Sequence, residues 1–97
     1  MAYDPGAIDA ALAAAVGDEP ALIAELRGAF IESVQRGVEG LEAAQDHDGW
    51  QAAAFRLKGL AASFGAVRLM ALAIEASDAP ACDQEVLRRI KRAVERL

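Results

Sequence analysis

Histidine, cysteine and tryptophan each occur once in this chain, and three Phe and one Tyr complete its aromatic residues. A single Cys82 excludes an intramolecular disulfide and fits a reducing compartment. The single His47 sits in Asp46-His47-Asp48-Gly49. One imidazole and two adjacent carboxylates at a turn lack a second ligand set, so neither a metal nor another cofactor is expected. No apolar run approaches the ~18 residues of a membrane span. The opening Met-Ala-Tyr-Asp-Pro-Gly has no basic segment followed by an apolar stretch, so no signal peptide is expected. These absences point to a cytoplasmic protein without a membrane partner. Positive charge is also scarce, with 10 Lys and Arg against 15 Asp and Glu and a net charge of -5. Nucleic-acid binding needs clustered positive charge and is not expected. Arg88, Arg89, Lys91, Arg92 and Arg96 do cluster near the end, where cations complement a final helix dipole and solvate its outer face.

What is present is helix. Hydrophobic residues make up 55% of the 97 residues, much of it alanine, and Ala and Leu are the best helix formers. No segment alternates β-branched residues with period two. No internal repeat or long linker divides the chain, so residues 1–97 read as one domain. A short first helix over about Ala7 to Val16 carries Ile8, Leu12 and Val16 on one side, and Gly17 ends it. Asp18 or Glu19 caps a second helix of about 25 residues, with Pro20 in its first turn. Ile23, Leu26, Phe30, Val34, Val38 and Leu41 form its seam, widened by Leu22 and Ile31. Gly37 lies in that helix and calls for a close helix neighbour or local flexibility.

Asp48 reads as the cap of a third helix starting at about Gly49. Its core face is Trp50, Ala53 or Ala54, Leu57, Leu60 or Ala61, and Phe64, and Gly65 interrupts it. A fourth helix follows, with Leu69, Leu72, Ala73 and Ala76 on one side and Val67, Met70 and Ile74 filling much of the other. Ser77-Asp78-Ala79-Pro80 breaks the chain before a last helix from about Cys82 to Leu97. Short connections between four amphipathic helices imply an all-α, antiparallel up-down four-helix bundle with a short extra N-terminal helix.

One apolar residue of the third helix falls on the wrong side. At 100° per residue, Phe55 lies about 150° from the core direction. Its neighbours on that face are Gln51, Ala52, Lys58, Gly59 and Ala62. A large ring therefore stands outward among residues that mostly have little or no side chain. Such a ring packs beneath the first helix or a loop, is one of the singly exposed apolar residues every protein carries, or belongs to a flat surface against which another protein can close. Gly59 in mid-helix costs about 1 kcal/mol against Ala, and close approach of a partner or backbone would explain it.

The segment Ala54-Phe55-Arg56-Leu57-Lys58-Gly59-Leu60-Ala61-Ala62-Ser63-Phe64-Gly65-Ala66 resembles the signature of histidine-phosphotransfer (HPt) domains. That signature reads His-x-Leu-Lys-Gly, then small residues, then a second Gly six positions after the first. Leu57, Lys58, Gly59 and Gly65 stand at the family positions, and Phe55 stands where the phosphoryl-accepting histidine would be. The likeness covers about residues 5 to 78. It implies a role in two-component phosphorelay signalling, in which HPt domains present a histidine to the aspartate pocket of receiver domains without being kinases. In that setting Lys58 balances phosphoryl charge and Gly59 admits the receiver.

A phenyl ring has no lone pair to attack an aspartyl phosphate, so phosphotransfer through residue 55 is chemically excluded. Arg56 cannot substitute, because it points to a different sector and its guanidinium offers donors and no acceptor. His47, flanked by acids that repel a phosphoryl group, is read as a solvated turn residue. The expectation is a non-enzymatic HPt-like module with no catalytic residue, binding response-regulator receiver domains through Gln51, Ala52, Phe55, Lys58, Gly59 and Ala62. A hybrid histidine kinase is a further expected partner, and a monomer is expected before a homodimer. Two alternatives stand beside it: a bundle that homodimerises through its Ala/Gly faces, and a true phosphotransfer protein in which residue 55 is an engineered change.

Overall fold

The structure, a computed structural model, describes residues 5–17 and 19–97, with the backbone alone at 5–9 and 11. Five helices follow in order: α1 Pro5–Val16, α2 Pro20–Ala43, α3 His47–Ser63, α4 Val67–Asp78 and α5 Gln84–Glu95. There is no strand among the described residues. Among the described residues α3 packs on α2 and α4, α5 packs on α4 and α2, and α1 packs on α2. The last four helices thus close a ring, as the short connections imply for an antiparallel bundle.

The core is mainly aliphatic, with the rings of Trp50 and Phe30 among its buried residues. Phe30, Val34, Val38 and Leu41 from α2 meet Trp50, Ala53, Ala54, Leu57 and Ala61 from α3. Leu69, Leu72, Ala73 and Ala76 of α4 and Val86, Leu87, Ile90 and Ala93 of α5 complete it, and Leu12 of α1 is buried against it. Trp50 is fully buried, and its indole N–H donates to the Ala76 carbonyl at 2.6 Å. That bond gives the ring's polar edge the partner that burial demands. Phe64 and Leu60 are half-buried at the margin of the core, with the Phe64 ring 4.4 Å from that of Phe30. At Gly37 an added Cβ would lie 3.3 Å from Leu57 Cδ1, so the close helix neighbour anticipated there is α3.

Two helix starts differ from the sequence reading. α3 is capped by Asp46, not Asp48: the Asp46 carboxylate accepts from the Gly49 N–H at 2.7 Å. An N-cap oxygen reaches the amide three residues on, and Asp48 instead places its charge in the positive first turn. α5 begins at Gln84, not Cys82, because Asp83 caps it by accepting from Glu85 and Val86 N–H at 2.9 and 3.3 Å. Cys82 has φ +63°, incompatible with a helical turn. Glu19 occupies the α2 cap position with no side-chain cap bond, while Asp18 and the Ile8 side chain lie outside the described residues. On α4, Met70 is half-buried and Val67 and Ile74 face solvent, so the side assigned to all three is mostly an outer surface.

Candidate docking face

The outer face of α3 is held by the two ends of that helix. At its start Asp46 closes the first turn. At its end Ala66 N–H bonds the Ala61 carbonyl at 2.9 Å and Gly65 N–H bonds the Ala62 carbonyl at 3.3 Å. This is the paired pattern of a Schellman cap, which places its C′ residue in the left-handed region. Gly65, at φ +69°, meets that demand at no steric cost. The second glycine of the motif thus terminates the helix and turns the chain into α4.

Between these ends Phe55 is 56% exposed. It does not pack beneath α1 or a loop. Lys58 is half-buried, and its ammonium lies 5.8 Å from the centroid of the Phe55 ring, within cation–π range. Ala52, Gly59 and Ala62 are exposed on the same face. An added Cβ at Gly59 would meet nothing within 4 Å, so no internal neighbour accounts for this glycine. Its carbonyl is held by the Ser63 hydroxyl, which donates at 2.9 Å. Gln51 differs from the rest of the expected set: it is half-buried, and its amide donates to the Ser77 carbonyl of α4 at 3.1 Å. It ties α3 to α4 at the edge of the face.

That tie also shows which way Phe55 leans. Residues 51 and 55 share one flank of α3, so the ring stands on the α4 side of the outward surface. α4 contributes two further exposed apolar residues, Val67 at 65% and Ile74 at 41%. They lie two turns apart on the outward side of α4, away from Glu75, which pairs with Arg89 of α5 at 2.6 Å. The outward surfaces of α3 and α4 therefore carry Phe55, Ile74 and Val67 with alanines between.

The opposite flank of α3 is cationic. Arg56 lies toward α2, where its Nη2 is 3.9 Å from a Cβ built on Gly40. On the α2 side of the seam, Arg36 Nη2 donates to the hydroxyl of Ser33, three residues earlier in the same helix, at 3.3 Å. Among the described residues no carboxylate lies within salt-bridge distance of Arg36, Arg56 or Lys58. The shared lining of one groove by Arg36 and Arg56 and the outward place of Ile74 are absent from the sequence reading. Helical spacing puts Arg56 off the core, but what it meets depends on the register between two helices.

His47 is exposed as the first residue of α3, at the end of the helix rather than its middle. The described residues contain no group of three or more His, Cys, Asp or Glu that could hold a metal ion. No helix among them is long and apolar enough to cross a membrane. Chemically, the face offers an aromatic anchor, small residues that permit close approach, and cations at its rim with no carboxylate in reach among the described residues. A family model described as Hpt domain matches residues 10–97. No curated protein and no solved structure matches the chain.

Proposed function

The chain belongs to the Hpt domain family, a family of two-component phosphorelay signalling, and we propose that it docks receiver domains without accepting a phosphoryl group from them. The observation that carries this reading is the exposed phenyl ring of Phe55 at the position where the family motif has its histidine. Docking and transfer make separate demands. Transfer requires a nucleophilic lone pair at the reacting atom, which a phenyl ring lacks. Docking requires an accessible apolar anchor and room for a partner to close on it. Phe55 supplies the anchor, and Ala52, Gly59 and Ala62 leave the room.

Burying a Phe at an interface contributes roughly 1.5–3 kcal/mol, and aromatic residues recur as interface anchors. In this reading Lys58 stays beside the ring and meets acidic groups of the receiver, while the outcome of docking is sequestration or scaffolding. The module is monomeric and has no catalytic residue of its own.

The test is a pair of variants titrated with receiver domains from the source organism, phosphorylated and not. Phe55→Ala is expected to weaken receiver binding by more than about tenfold with an unchanged helical spectrum. Phe55→His restores the family residue and is expected to yield acid-labile phosphohistidine from a phosphorylated receiver, where the unaltered chain yields none. Unchanged affinity in Phe55→Ala would move the interface elsewhere. A stable dimer that buries Phe55, seen by sedimentation, would replace docking by self-association.

A further inference from the structure

Beside the face centred on Phe55 runs an open groove between α2 and α3, of about 330 Å³, lined by Ser33, Arg36, Gly37, Arg56, Leu57 and Leu60. Its walls are apolar and its rim bears two guanidinium groups. Arg36 has a hydroxyl as its side-chain partner, and neither Arg36 nor Arg56 has a carboxylate within reach among the described residues. Arg68, Arg92 and Arg96 also lack a carboxylate among the described residues, but here two such cations share one lining that contains no acid, whereas the surface along α5 mixes Arg88, Lys91 and Arg92 with Glu85 and Glu95. Two like charges lining one groove repel each other, and an anion placed between them relieves that repulsion.

We infer that this groove is a carboxylate-accepting subsite, filled by an acidic side chain of the protein that docks on α3. The inference rests on the docking reading given above and adds to it the orientation of the partner. Guanidinium groups bind carboxylates through paired, directional N–H donors. The half-buried Leu60 side chain suits the methylene stem of a Glu and reduces the water that would screen the contact. Arg56 follows Phe55 directly in α3, so a partner seated on the ring brings its own surface over the groove. A carboxylate delivered in that way acts at high effective concentration. A free anion meeting two exposed cations gains little by comparison.

With the apolar residues of α4 on one flank and two cations on the other, the surface distinguishes one rotation of the partner from the reverse. A partner turned by half a revolution would set its carboxylates over Val67 and Ile74 and leave the arginines unmatched.

The experiment compares receiver binding by the unaltered chain, Phe55→Ala and the double variant Arg36→Gln/Arg56→Gln, each at two ionic strengths, by calorimetry. Both arginines are exposed, and circular dichroism checks that the double variant keeps its fold. The double variant is expected to bind about three- to tenfold more weakly at low salt and to lose most of the salt dependence. Phe55→Ala is expected to lose affinity while keeping that dependence. If Phe55→Ala weakens binding and the double variant changes neither affinity nor salt dependence, the subsite is overturned and docking stands. If the unaltered chain binds no receiver, both are overturned. A groove that inorganic phosphate fills in the absence of any receiver, followed by the Gly37 and Leu60 amide signals, would belong to a free anion and overturn the carboxylate assignment.

Discussion

α3 and α5 both carry cations, and the bundle pairs three of the four on α5 and neither of the two on α3. On α5, Arg88 pairs with Glu85 one turn earlier, Arg89 reaches Glu75 of α4, and Lys91 reaches Glu42 of α2 at 2.5 Å. The basic cluster that composition assigns to dipole and solvent thus also ties the last helix to its neighbours. On α3, Arg56 and Lys58 have no carboxylate partner among the described residues, and the exposed Phe55 directly precedes Arg56 in sequence. A charge answered from within the bundle belongs to the fold. One left unanswered beside exposed apolar surface is available to another molecule. Under the proposed docking, the pairing of a helix's charges is a better guide to a partner's site than their density.

The contrast can be broken most forcefully from inside α3. Trp50→Ala removes the largest fully buried side chain and its bond to Ala76. It should lower stability by about 3–5 kcal/mol in urea unfolding, and receiver binding should fall with the folded fraction. Phe55→Ala, on the opposite side of the same helix, should shift unfolding by no more than about 0.5 kcal/mol while weakening receiver binding as stated above. Equal losses of stability in the two variants would mean that α3 has no separate outer role.

A smaller effect sharpens the start of the helix. Asp46→Ala should cost about 1 kcal/mol through loss of the cap, and Asp48→Ala about 0.3–1 kcal/mol through the dipole alone. The reverse order by thermal unfolding would restore Asp48 as the cap. The smallest change is expected on α5. Lys91→Gln should cost less than about 1 kcal/mol, since both partners of its ion pair are largely solvated, and should leave receiver binding unaltered. Weaker receiver binding by that variant would erase the distinction between the two helices.

Much of the candidate docking face was legible because helical geometry is local. The outward place of Phe55 follows from 3.6 residues per turn and the apolar spacing of Trp50, Ala54, Leu57 and Ala61. The exposed Ala52, Gly59 and Ala62 follow from the same wheel. The positions of the caps were less legible. Asp46 and Asp48 both precede an apolar-periodic segment and both can accept from a backbone amide, so composition does not choose between them. Cys82 lies just past Pro80 in a stretch whose helical pattern extends backward from Val86, and nothing in that pattern marks a residue of positive φ.

By itself, then, the sequence determined five helical segments, their buried seams, and an aromatic ring on the outward face of α3 at the motif's histidine position. These depend on contacts within a turn or two of each residue, where the chain has little freedom. The tertiary structure alone decided that Gln51 is tied to Ser77, that Arg36 and Arg56 share a groove, that Ile74 and Val67 extend the apolar surface, and that Lys91 answers Glu42. Each of these depends on the register and rotation of one helix against another. That alignment is set by the packing of the whole core at once, through close contacts such as Gly37 against Leu57, and no local spacing encodes it.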